Sequence, residues 1–229
     1  MTMTPKKLKP FTTQVAIDVV LLSVVDDRLC VLLVTRQWAP FDRFASLPGA
    51  FVRAGETTHD AAQRILHDKA GITTPVYMEQ LYTFDASGRD PRGQFPTVTY
   101  MTLVPQDRIR IAQVPGSQEP RWTSVGTLPT LAFDHAAIVR YGVNRLRAKL
   151  EYTNIIYSLL PKCFTLTQLQ RAYETIMGHR LDKRNFRKKY LSLGLIRATS
   201  AYERGGQRRP ARLYEFKHRK PSELKKFFS

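Results

Sequence analysis

The sequence predicts an α+β protein in two parts, and three observations carry that prediction. Through residues 1–150, β-branched and aliphatic runs alternate around one short amphipathic helix, which indicates α+β architecture. Residues 151–229 then offer two helix patterns and a hairpin with a glycine- and arginine-rich tip, the elements of a winged helix-turn-helix. The charge changes at the same place. Residues 1–150 hold 18 Lys+Arg against 13 Asp+Glu, whereas residues 151–229 hold 18 against 6. A net charge of +17 placed so unevenly suits a polyanionic partner better than general solubility, with a solvated basic face or contact with anionic lipid as the plainer alternatives.

The elements follow in order. Residues 1–10 read as a mobile basic arm. Val15–Val24 and Arg28–Thr35 are β-branched runs joined by Val25-Asp26-Asp27, a hairpin pattern. The loop 37–48 is rich in large residues and leads to a helix entered through Gly55-Glu56-Thr57. Thr57 with Asp60 three residues on is box-like capping, Ala61, Ala62, Leu66 and Ala70 form the apolar stripe, and Gly71 is a stop. Tyr77–Asp85 and Thr97–Val104 are strands flanking the loop 86–93, and Glu119-Pro120-Arg121-Trp122 opens another. Asp134 is the expected N-cap of a long helix with Ile138, Tyr141, Leu146 and Leu150 as its apolar face and Arg140, Arg145, Arg147 and Lys149 along a basic flank. Ile155, Ile156, Leu159 and Leu160 fit a short helix before Pro161.

No apolar run reaches the ~18 residues of a spanning helix, and the first residues lack an apolar signal core, so a cytoplasmic, nucleoid-associated protein without membrane contact is expected. Cys30 and Cys163 form no disulfide or metal pattern, and Cys30, within a strand, reads as a buried thiol. None of the five histidines has a partner at ligand spacing; His59 and His67 read as exposed and His135 as structural.

Residues 49–72 carry the most specific motif. Glu56, Arg64, Leu66, Gly71 and Ile72 stand where the Nudix box places them, with Gly49 one residue before its first glycine position, and the segment resembles that box. Ile65, Asp68 and Lys69 stand at its three key glutamate positions. Those positions lie at i, i+3 and i+4, where side chains converge on one helix face, and three carboxylates there would hold divalent cations against a pyrophosphate. An aliphatic side chain, one short acid and an ammonium cannot build that cage. No catalytic or metal-binding residue is therefore assigned; a displaced acid, Glu79 or Asp85, would have to compensate if turnover survived.

In the second part, Thr165 and Gln168 make a capping box, Leu166, Leu169, Tyr173 and Ile176 recur at helical spacing, and Gly178 ends the helix. A second helix begins at Asp182, with Phe186, Tyr190 and Leu193 on one face and Arg184 and Lys188 opposite. Leu195–Tyr202 and Leu213–Phe216 are the wing strands around residues 203–212. The segments 181–189 and 209–216, with Phe133-Asp134-His135 and the loop 89–93, resemble the Nudix-related transcriptional regulators of the NrtR family in both domains and in order. That resemblance implies a homodimeric repressor of NAD-metabolism genes, bound to a (pseudo)palindromic operator in double-stranded DNA, with ADP-ribose or a related nucleotide as effector and no required cofactor.

The candidate ligand-binding residues are Arg36, Arg53, Glu56, Lys69, Phe84, Arg89 and Arg92, with Trp38 and Phe41 as aromatic wall. Lys69 is either an ordinary solvated lysine or a cation standing where a metal ion would. The candidate DNA-binding residues are Thr165, Thr167, Lys183, Arg184, Asn185, Arg187, Lys188, Arg208, Arg209 and Arg212. The domains divide as residues 1–150, for sensing and dimerisation, and 151–229, for DNA. Two other classes compete: a Nudix pyrophosphohydrolase with a basic nucleic-acid-binding tail, and a protein-binding scaffold, which would show no salt-dependent DNA affinity.

Overall fold

The computed structural model describes residues 13–72, 77–108, 120–203 and 210–224. The expected basic arm, Glu119 and the wing-tip arginines Arg208 and Arg209 lie outside them. Strand β1 (Ala16–Val25) is central. It pairs antiparallel with β2 (Arg28–Thr35), parallel with β6 (Thr97–Leu103), and near its start with β4 (Gly49–Phe51). β3 (Ala45–Ser46) and β7 (Pro120–Ser124) both pair with β2, and β5 (Tyr77–Phe84) lies outside β6.

The alternation along β1 sorts its side chains by face, as strand geometry requires. Ile17, Val19 and Leu21 meet Ala61, Ala62, Ile65 and Leu66 of α1 (Thr58–Ala70). Val20 and Leu22 meet the cluster of Ile138, Val139, Val143, Leu146 and Leu150 on α2 (His135–Tyr152). One helix therefore covers each face. α1 has the expected reciprocal cap between Thr57 and Asp60, and Gly71 ends it at φ 63 with N–H groups returned to the last turn. Two expectations for α2 fail. Asp134 stands at the N-cap position without capping, and Tyr141, 37 % exposed, lies off the apolar face against Tyr82 and Phe84.

A 3-10 turn (Ile155–Ser158) follows, fully buried, in place of the expected short α-helix. β8 (Phe164–Thr165), α3 (Leu166–Met177), α4 (Lys183–Ser192), β9 (Ile196–Glu203) and β10 (Ala211–Phe216) complete a winged helix-turn-helix with sheet order β8-β10-β9. Its core of Phe164, Leu169, Tyr173, Phe186 and Tyr190 is continuous with the α2 side of the sheet. No described helix is long and apolar enough to cross a membrane. Cys30 is buried and Cys163 exposed.

Thr165 corrects a sequence expectation. It is 3 % exposed, and its hydroxyl accepts from the Gln168 N–H at 3.1 Å while Gln168 returns a carbonyl oxygen to the Thr165 N–H at 2.8 Å. Its side chain holds the start of α3 and offers no surface to DNA. Thr165→Ala is expected to lower stability by ~0.5–2 kcal/mol in urea denaturation, the usual cost of losing an N-cap hydroxyl. Unchanged stability would show that the box contributes nothing.

Candidate ligand pocket and nucleic-acid interface

A cleft of about 380 Å³ opens where the start of β1, β4, the loop 86–93 and the start of α2 meet. Gly49 allows the approach of β4, because a Cβ there would collide with the Asp18 carboxylate and lie 2.8 Å from the Ile17 carbonyl oxygen. The floor is a buried polar network. Asp18, 7 % exposed within an otherwise apolar strand, accepts from the Thr97 hydroxyl at 2.9 Å and lies 3.8 Å from Arg89 and 3.5 Å from His135. Arg89 donates to both Asp134 oxygens, at 3.0 and 2.7 Å, and to the Phe95 carbonyl at 3.2 Å. That is why Asp134 does not cap α2. Arg89 lines the pocket, yet its donors are committed to holding the floor together.

His135 is a structural residue of the same floor. Its Nδ1 accepts from the Leu47 N–H at 2.9 Å, which leaves the proton of the neutral ring on Nε2, towards Asp18. Burial pushes its pKa below the ordinary 6.5, against the pull of Asp18 and Asp134.

Above the floor stand three cations. Arg36 packs 4.6 Å from the Phe133 ring centroid and donates to the Pro40 carbonyl at 3.1 Å. Arg92 lies 5.4 Å from the same ring and donates to Asp90 at 2.6 Å. Lys69, half-buried, completes the group from α1. Burial and the charge of Arg36 both push the Lys69 ammonium below its usual range, and burial with Arg92 does the same to Arg36. Burial opposes ionisation of Asp90, but the hydrogen bonds and charge of Arg92, with Arg89, outweigh it and hold the carboxyl low. Cations that destabilise one another in a half-desolvated cleft are relieved by an anion. Trp38, 73 % exposed at the rim, and Phe133 supply aromatic surface.

Of the ligand candidates, Arg36, Lys69, Arg89 and Arg92 line this cleft. Arg53, Glu56 and Phe84 are not among its lining residues. Arg53 is exposed. Glu56 takes two hydrogen bonds from Arg64, at 2.5 and 2.9 Å, and one from the Arg53 N–H, which together hold its carboxyl down at about 2. Phe84 packs against Tyr82 and Tyr141. Asp18, Asp90 and Phe133 line the cleft but were not among the ligand candidates, although an aspartate inside the run AIDVVLL was a signal for the first.

The three box positions do not converge. Ile65 is 1 % exposed in the apolar core, Asp68 faces outward beside His67 at 2.9 Å, and Lys69 enters the cleft. That donor set does not fit a divalent cation. Neither displaced acid lines the cleft: Glu79 is paired with Lys149 at 2.7 Å and Asp85 is exposed.

In the second domain the Asp182 carboxylate caps α4 by accepting the Asn185 N–H at 2.8 Å. Lys183, Arg184, Asn185 and Lys188 are exposed along it, and Phe186 and Tyr190 are buried beneath. Arg187 is half-buried and donates to the Thr167 hydroxyl at 2.9 Å, joining the two helices. Arg212 is exposed on β10, with Nε donating to the Thr199 carbonyl at 3.3 Å.

A cation-lined pocket in an α/β/α domain, packed against a winged helix with a basic outer helix, defines a two-domain protein of the ligand-sensing, nucleic-acid-binding class. The family models agree with each half: a NUDIX domain matches residues 12–142 and the NrtR DNA-binding winged helix domain matches residues 156–216. The chain belongs to the NrtR family. It is 35 % identical to the ADPR responsive transcriptional repressor NtrR of Acinetobacter baylyi over 204 residues, 87 % of this chain and 80 % of that protein. Shewanella oneidensis NrtR complexed with a 27mer DNA superposes with a TM-score of 0.78 at 32 % identity, covering 89 % of this chain and 93 % of that one. Its NUDIX domain, solved with ADP ribose, superposes at 0.53 with 32 % identity, covering 63 % and 94 %. The ADP-ribose pyrophosphatase of Methanocaldococcus jannaschii is 30 % identical over 110 residues, 48 % of this chain and 63 % of that protein.

The histidine gives a pH prediction. The unfolded chain protonates His135 near 6.5, while the folded chain holds it neutral to lower pH, so the unfolded state binds more protons in that window. Stability from this site is complete above 6.5 and is lost as pH falls. His135→Asn, which keeps an acceptor for the Leu47 N–H, should remove up to ~1.4 kcal/mol per pH unit of acid-side slope. Parallel curves for the two proteins in urea titrations between pH 7 and 5 would show that His135 does not contribute.

Proposed function

We propose that this protein is a transcriptional repressor whose NUDIX domain senses ADP-ribose, or a related nucleotide, without hydrolysing it. One observation carries the reading: Lys69, from a position where the box would place a carboxylate, joins Arg36 and Arg92 in the cleft. A pyrophosphate would face these cations, and Phe133 and Trp38 offer apolar surface for a base or ribose. With an aliphatic residue and a lysine at two of the three metal positions, the chain binds the nucleotide and does not activate water against it. The winged helix reads duplex DNA through Lys183, Arg184, Asn185 and Lys188, in the nucleoid and on genes that the family resemblance assigns to NAD metabolism. Two copies, paired through their NUDIX domains, match a palindromic operator with half-sites ~34 Å apart or a multiple of it.

The relative from Methanocaldococcus jannaschii supports the second reading, a pyrophosphohydrolase. Calorimetry with ADP-ribose separates the two. Arg36→Ala and Lys69→Glu should each weaken binding about tenfold or more, ~1.4 kcal/mol, while Arg53→Ala leaves it nearly unchanged. Rapid release of AMP with magnesium or manganese would favour the hydrolase.

DNA recognition is tested with a duplex selected from a random-sequence pool. Arg184→Ala should cost ~1–3 kcal/mol of specific binding, as for an arginine reading a base edge. ADP-ribose at saturation should weaken the complex, because an effector acts only by binding the two states unequally. Footprints untouched by Arg184→Ala combined with Lys188→Ala would remove α4 as the reader.

A further inference from the structure

A second cleft, of about 700 Å³, is lined by residues of both domains, and its lining is basic. Arg28 comes from the start of β2, Arg147 from α2, Arg171 from α3, and His179 and Arg180 from the turn before α4. The acids in the lining are Asp27 and Glu174, and both are engaged. Asp27 sits 3.6 Å from Arg171, and Glu174 accepts from the Leu181 N–H and the Gln170 amide, both at 2.9 Å. The excess is cationic.

We infer that this cleft is a clamp for the phosphate backbone of duplex DNA beside the bases read by α4, with the NUDIX domain supplying Arg28 and Arg147. The inference rests on the DNA-reading role proposed above and adds a grip from the other domain. Its first support is position. The chain reverses at Gly178, φ 78, passes His179 and Arg180 in the cleft, and enters α4 after the Asp182 cap, so the cleft adjoins the N-terminal end of the outer helix. A helix in the major groove has backbone phosphates flanking that end. Its second support is chemistry. Arginine forks match phosphate oxygens, and the Arg171–Asp27 pair is held so loosely, with side chains 60 % and 68 % exposed, that Arg171 can turn to a phosphate at little cost. Its third is preorganisation. Arg147 donates Nε to the Ile176 carbonyl at 2.8 Å, which fixes its outer edge near Gly178. Among the described residues, the cleft lining has no Phe, Tyr or Trp to form a wall for a free nucleotide base.

The full-length protein is titrated with the selected duplex and with the unselected pool over a salt series, comparing wild type with Arg28→Ala, Arg180→Ala and the double variant. Both residues are exposed, so folding should be untouched. The double variant should weaken both duplexes by a similar factor and flatten the slope of log K against log salt by about 0.9 for each phosphate that is no longer neutralised. Unchanged affinity and slope, in a protein whose binding is still abolished by Arg184→Ala with Lys188→Ala, would overturn the clamp and leave the reading helix standing. Wild type that binds neither duplex would overturn both. A double variant that loses ADP-ribose and keeps DNA would make the cleft a nucleotide site instead.

Discussion

The half-buried ion pair between Arg89 and Asp134 is the constraint on which the NUDIX domain depends. Arg89 exposes 6 % of its side chain, and a guanidinium so far from water is stable only with its partners in place. Removing Asp134 would leave Arg89 only the Phe95 carbonyl and Asp18 at 3.8 Å as partners. Here the pair also sets geometry. It draws the loop 86–93 onto the start of α2 and brings Arg89 within 3.8 Å of Asp18 on β1. Three separate stretches of chain thus share one floor, and Arg92 and Asp90 stand above it because Arg89 anchors their loop. The N-terminus of α2 gives up a side-chain cap to this arrangement.

The two domains are joined by more than a linker. The apolar cluster on the α2 side of the sheet runs without a break into the winged helix. The β1–β2 turn, with Asp26 and Asp27 at φ 49 and 56, reaches α3, where the Thr175 hydroxyl donates to the Asp27 carbonyl at 3.3 Å. β1 therefore has one end in the cation-lined cleft, at Asp18, and its other end beside α3, which packs under α4. A strand paired along both sides transmits displacement better than it bends, which is the physical requirement for coupling pocket to DNA.

Local patterns made much of this legible. The two capping boxes, the glycine stops at Gly71 and Gly178, and the alternating strands depend on near neighbours in sequence, and the structure has them. The failures share a different cause. Motif order locates a residue on an element but not the direction of its side chain. Arg53 and Glu56 belong to the box and stay outside the cleft, and Thr165 and Arg187 lie where DNA contacts were expected but bond within the domain. Asp134 looked like a cap because nothing nearby in sequence revealed Arg89, 45 residues away. Long-range polar pairing is the part that composition and period do not encode. Asp18, a lone acid in an apolar strand, was a signal of such pairing that went unused.

Ile65 ties the box helix to the fold. It lies among Ile17, Val19 and Leu21, where α1 meets the sheet. A glutamate introduced there would have to place its carboxylate in that core or tear the helix away from it, at a cost of several kcal/mol. A carboxylate at this position thus meets a folding barrier before any question of metal binding arises.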